Sequence, residues 1–152
     1  MAIRIRLGGS ADVEAAVAVY ERSNLARRQG VWPNRTDGVA RLRASLLDPN
    51  GWFLVVDEEP AMIGMASAKP LRGQDGAGPV IAGGCFLGNL FVVPERWGQG
   101  IGGRLLDAVL AQARQRHYTR IELLTHEDNE RSHRLYRSRD GQGGWARDIG
   151  SP

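Results

Sequence analysis

The chain has 152 residues, 42% hydrophobic and 24% charged, which is enough for one domain, residues 1–152, with a real core. Its net charge is +3 and its pI about 9.6, but all but one of its 20 basic residues are scattered Arg, which argues against a nucleic-acid partner. No apolar stretch is long enough to span a bilayer, the first residues lack a secretory pattern, and a lone Cys85 excludes an internal disulfide, so a cytoplasmic protein without a membrane partner is expected.

Residues 3–7 alternate apolar residues with Arg and read as an edge strand. Ser10 suits an N-cap, with Asp12 and Glu14 in the first turn. Val13, Ala16, Val17 and Tyr20 then form the stripe of a helix that runs to about Arg28. Gly30-Val31-Trp32-Pro33-Asn34 breaks it. A second helix turns Val39, Leu42 and Leu46 inward and stops at Asp48-Pro49-Asn50-Gly51. Residues 52–57 and 61–68 read as the two strands of a hairpin around Glu58-Glu59-Pro60. Residues 70–79 read as a Gly-rich loop, and residues 81–93 as a long strand bulged at its glycines. Cys85 lies in that strand and reads as a buried small hydrophobe.

The most informative stretch follows: Trp97-Gly98-Gln99-Gly100-Ile101-Gly102-Gly103. Its glycines leave backbone N–H groups unshielded. The helix behind it adds the positive end of a dipole. Strand, glycine turn and helix together make an anion site, most naturally for a pyrophosphate; the alternative is a tight turn that only packs the helix on the strand. A Walker loop is excluded, because the only Lys is Lys69. A dinucleotide fingerprint fits poorly, because the turn comes late and the next strand ends in Leu124-Thr125. Ile101, Leu105, Leu106, Val109, Leu110 and Ala113 give the following helix its apolar face. Residues 120–125 read as a strand. Asn129, Ser132 and Tyr136 then share one face of a further helix.

The Val-Pro-x-x-x-Gly-x-Gly-Ile-Gly turn, followed one βα unit later by Asn-x-x-Ser-x-x-Leu-Tyr, resembles the GNAT superfamily of N-acetyltransferases. The resemblance implies an α/β (mixed α+β) fold. Its central, mostly antiparallel sheet has six to seven strands, a splayed parallel pair and about four flanking helices. It implies acetyl-CoA as cofactor, no metal, and a primary amine of a small molecule or peptide as acceptor. The family positions put pantetheine contacts on the main chain of Phe91, Val92 and Val93. They put the pyrophosphate on the amides of Gly98, Gln99, Gly100, Ile101, Gly102 and Gly103, and further cofactor contacts on Trp97, Asn129, Ser132 and Tyr136. Tyr136 matches the family's acid.

An amine must lose its proton before it attacks, and a free alkylamine has a pKa near ~10.4. Where the family often carries Glu or Asp, this chain has Gly88 and Asn89. Asn89 can orient a water, and Glu122, His126 and Glu21 are the other candidates. Water-mediated proton removal is expected, with no single base. A strand N–H near Val92 is the expected donor to the oxyanion. The acceptor lining includes Arg27, Arg28, Trp32 and Arg35, with Arg28 and Trp32 as the substrate-binding residues. Trp32 either packs on the ligand or anchors its own loop. These arginines disfavour a polycation and favour an acceptor bearing a carboxylate.

Trp97 replaces the family's more usual Arg or Gln, and the usual Gly-Phe after Leu-Tyr is missing. Only 16 residues follow Tyr136, room for one strand near residues 145–149. A reduced closing edge predicts either a homodimer with exchanged C-termini or a catalytically silent acyl-CoA-binding or regulatory module.

Overall fold

The computed structural model describes residues 2–28, 36–74, 77–124 and 144–148. Six strands form one sheet in sequential order: β1 (Arg4–Leu7), β2 (Trp52–Glu58), β3 (Ala61–Arg72), β4 (Val80–Val92), β5 (Arg120–Leu124) and β6 (Gly144–Asp148). Neighbours are antiparallel except β4 and β5, which run parallel. Three helices accompany them: α1 (Val13–Arg28), α2 (Thr36–Leu46) and α3 (Ile101–Gln115). The expected helix carrying Asn129, Ser132 and Tyr136 lies outside the described residues. Among the described residues no helix is long and apolar enough to cross a membrane.

Side-chain alternation assigns the helices to opposite faces of the sheet. Tyr20 of α1 meets Phe91 of β4 edge-on, with ring centroids 5.2 Å apart. Phe91 pairs with Met65, so α1 covers the Met65 and Ser67 face of β3. Trp52 pairs with Ala68 on the other face, and Arg116, just after α3, lies 5.2 Å from the Trp52 ring. Between the layers, α3 buries Ile101, Leu105, Leu106, Val109, Leu110 and Ala113, the stripe its periodicity predicts. Each such large aliphatic is worth about 1.5–3 kcal/mol when withdrawn from water. Cys85 is fully buried in this core, and burial pushes its thiol up to about 12.

Two local expectations are corrected. Gly9, not Ser10, caps the first helical turn, which is a 3-10 turn over Ser10–Asp12. The Gly9 N–H donates to the Asp12 carboxylate at 2.8 Å, the half of a capping box in which the third residue's side chain reaches back to the cap. The strand expected to stop at residue 68 continues as β3 to Arg72, through Pro70. A ladder irregularity flanks Pro70 and Arg72, the setting in which a strand tolerates proline.

Candidate active site

The site is organised by what β4 does at its two edges. Toward β5 it pairs only at Gly84, Cys85 and Phe86. Toward β3 it stays paired to Val92, and the Val93 N–H donates to Ile63 C=O at 2.9 Å. Antiparallel alternation then turns the main-chain groups of Phe91 and Val93 toward β3 and those of Leu90 and Val92 toward the β5 side. The β4–β5 pairing ends at Phe86, so among the described residues the amides of Leu90 and Val92 face the β5 side without a strand partner. A buried amide requires a partner, and an amide-rich ligand supplies one.

The Val92 carbonyl on that side is already committed. It accepts from the Ser23 hydroxyl at 2.8 Å and from the Trp97 indole N–H at 2.7 Å. Ser23 is buried on α1, and Trp97 packs against the core just past a 3-10 turn, Pro94–Arg96. The tryptophan thus braces the glycine turn against the end of β4.

Gly98 and Gly100 adopt φ of +79° and +81°, a region open to glycine and strained for other residues. A Cβ built at either meets nothing within 4 Å, so the turn's surface is open to a ligand. The first hydrogen bond of α3 runs from Arg104 N–H to Gly100 C=O, so the Ile101 and Gly102 amides precede its ladder. No acid occupies the first turn of α3, so no carboxylate of that turn offsets the helix dipole. Gln99 is turned back, its side-chain oxygen accepting from Arg96 at 2.8 Å. These features fit a pyrophosphate cradle formed by main chain.

On the α1 and α2 face lies a cavity of about 280 Å³. Tyr20, Arg41, Ser67, Lys69, Phe86 and Asn89 are among its lining. A bulge creates it. Ser67 pairs with Asn89 but Ala68 pairs with Leu87, leaving Gly88 as the extra residue. The bulge shifts the alternation so that Phe86 and Asn89 share a face, and Asn89 Nδ2 donates to the buried Ser67 Oγ at 2.8 Å. Phe86 is also the last β4 residue paired with β5, so the cavity meets the end of that ladder.

The expected site residues fall into two groups. Asn89, Phe91, Val92, Val93, Trp97, Gly98, Gln99, Gly100, Ile101, Gly102 and Gly103 follow one another along β4, the glycine turn and the start of α3, but the expectation of main-chain ligand contacts from Phe91 and Val93 is corrected: their main-chain groups face β3, and Leu90 joins Val92 on the open side instead. Asn129, Ser132, Tyr136, His126, Arg35 and Trp32 lie outside the described residues, as do the side chains of Arg27 and Arg28. Glu122 lies on β5 and accepts from Arg120 at 3.4 Å; Glu21 is exposed on α1. Neither lines the cavity. Ser67, Lys69 and Arg41 were not singled out from sequence. Ser67 had one legible sign: it is the only polar residue in the run from Ala61 to Ala68. Tyr20 was read as core alone.

A strand pair whose ladder stops at Phe86, followed by an open glycine turn at the start of a helix, fits a long amide-rich cofactor that carries a pyrophosphate. The family model described as Acetyltransferase (GNAT) family matches residues 17–141, and the chain belongs to that family. Its cofactor is therefore acetyl-CoA. A GNAT family acetyltransferase from Brucella melitensis, solved with acetyl-CoA, is 28% identical and aligns over 99% of this chain and 90% of its own, with a TM-score of 0.70. The PaiA N-acetyltransferase from Thermoplasma acidophilum, solved with coenzyme A, is 19% identical over 97% and 99% of the two chains, with a TM-score of 0.76. The ribosomal-protein-S18-alanine N-acetyltransferase from Escherichia coli is 19% identical over 90% and 76%, with a TM-score of 0.68. No curated protein sequence matches the chain.

Proposed function

We propose that the protein transfers the acetyl group of acetyl-CoA to a primary amine of a small molecule or peptide by direct attack. The observation that carries this reading is the junction at Phe86. There an acceptor-sized cavity on one face of β4 opens beside the end of the β4–β5 ladder, past which the Leu90 and Val92 amides face the β5 side. Acetyl-CoA supplies the activated thioester. The Leu90 and Val92 main chain would hold the pantetheine arm, and the amides of the Gly98 turn and the start of α3 the pyrophosphate. The Val92 N–H would face charge developing on the acyl oxygen.

No Asp or Glu lines the cavity among the described residues, so proton removal runs through water ordered by Asn89 and Ser67. Tyr136 protonates or orients the departing sulfur, with Asn129 and Ser132 beside it on the cofactor, and Arg28 and Trp32 complete the acceptor wall. The missing carboxylate also favours a second reading, a silent acyl-CoA-binding module. Thiol release from acetyl-CoA over a broad amine panel separates them. Amine-dependent release, lowered about 10²-fold by Tyr136→Phe, is the expected result. Saturable acetyl-CoA binding with no amine-dependent release would leave the silent module.

A further inference from the structure

We propose that the acceptor cavity selects primary amines that also carry an acidic group, with Lys69 holding the carboxylate while Asn89 and Ser67 face the amine. The proposal rests on the transfer reading above and narrows its acceptor.

The cation on which the proposal rests is Lys69. The cavity's ionisable lining is Lys69, Arg41 and Tyr20, with no acid among the described residues. Lys69 is the only lysine in a chain otherwise rich in arginine. Its place on β3 puts it on the Ser67 face, opposite Phe86, and its ammonium lies 5.9 Å from the Phe86 ring centroid. That contact places the ammonium at the mouth of the cavity, where Lys69 is exposed to solvent and, among the described residues, has no ion-pair partner. The acids nearby are used elsewhere. Glu122 shares the Phe86 face but bonds Arg120. Glu14 holds Arg43 through both carboxylate oxygens, and Glu21 acts on the same Arg43.

Such a pocket treats the two ends of an amino acid differently. A carboxylate gains a charge partner at Lys69. An amine in the same cavity meets like charge, which disfavours its ammonium form. This eases the proton loss through water ordered by Asn89 and Ser67. A second ammonium, as in a diamine or polyamine, would be repelled. The volume of about 280 Å³ suits a ligand of amino-acid size.

The test measures kcat and KM for ω-amino acids, the matching alkylamines and the matching diamines. Wild type should rank them in that order, with about tenfold or more between the first and the last. Lys69→Met should remove the advantage of the amino acids chiefly by raising KM, and Lys69→Glu should invert the ranking. Thermal melting of each variant verifies that it is folded. A wild-type preference for diamines, or a ranking that Lys69→Glu leaves unchanged in a folded variant, overturns the proposal while transfer stands. Saturable acetyl-CoA binding with no amine acetylated overturns both.

Discussion

The indole N–H of Trp97 donates to the carbonyl oxygen of Val92 at 2.7 Å, tying the glycine turn to the last residue of β4. The Ser23 hydroxyl reaches the same oxygen from α1 at 2.8 Å. One carbonyl at the end of β4 thus joins a helix, a strand and the glycine turn. This accounts for Trp97 where the family more often has Arg or Gln: the residue acts through its indole on the main chain.

Because Val92 C=O has two donors, losing one leaves it satisfied. Ser23→Ala and Trp97→Phe should each cost about 0.5–1.5 kcal/mol for the lost hydrogen bond. The double variant strands a buried carbonyl and should exceed the sum by about 1 kcal/mol. Urea melts of the four proteins measure the coupling. Strict additivity would show that the two bonds do not act on the carbonyl together.

Gly38 on α2 comes so close to Tyr20 that a Cβ built there lies 2.7 Å from the phenolic oxygen. Alanine gains up to about 1 kcal/mol of helix propensity over glycine, but here it must displace Tyr20 from the cavity wall. Gly38→Ala should therefore bring little net stability and raise KM for the acceptor. Adding Tyr20→Phe removes the clashing oxygen and should recover the propensity gain. If Gly38→Ala alone stabilises by the full amount with KM unchanged, Tyr20 is not held where described.

Arg6 bonds Asp12 at 2.8 Å and 2.9 Å and Asp57 at 2.6 Å, joining β1, the first helical turn and β2. The Arg6 guanidinium, aided by the Gly9 N–H, holds the Asp12 carboxyl down at about 2. Depression means that the folded state binds the proton less readily than the unfolded chain. The resulting stability is fully present above the unfolded pKa of ~3.9 and is lost as pH falls toward about 2. After allowance for solvent screening it amounts to about 1–2 kcal/mol. Asp12→Asn should flatten the acid limb of the stability curve between these values. An unchanged limb contradicts the assignment.

The Cys85 thiol is fully buried and its pKa is raised to about 12 by desolvation. Thiol reagents should leave it unmodified in the native protein at neutral pH and label it on unfolding. Rapid native labelling would mean that the β4–β5 core opens readily.

How far the sequence was legible depends on the range of the interactions. The α3 stripe, from Ile101 to Ala113, follows from a 3.6-residue period and recurs residue for residue. The glycine turn was legible because φ near +80° at Gly98 and Gly100 is a local demand. The bulge was expected somewhere among the β4 glycines, but only the partner strand decides that Gly88 is the extra residue. The cavity wall was hardest to foresee. Lys69, Ser67, Tyr20 and Arg41 lie on three elements and meet only after the register of β3 and β4 is set. Pro70 hid the end of β3, because a proline reads as a breaker until the neighbouring ladder shows where no N–H is needed.

The central claim is that the Gly98–Gly100 turn and the open edge of β4 together hold acetyl-CoA. Calorimetric titration of acetyl-CoA into the protein, beside a folded Gly100→Glu variant, tests it most directly. The account predicts saturable binding by the wild type and its loss in Gly100→Glu, whose carboxylate would project into the anion site. No binding at millimolar acetyl-CoA, or equal binding by both proteins, would contradict the account.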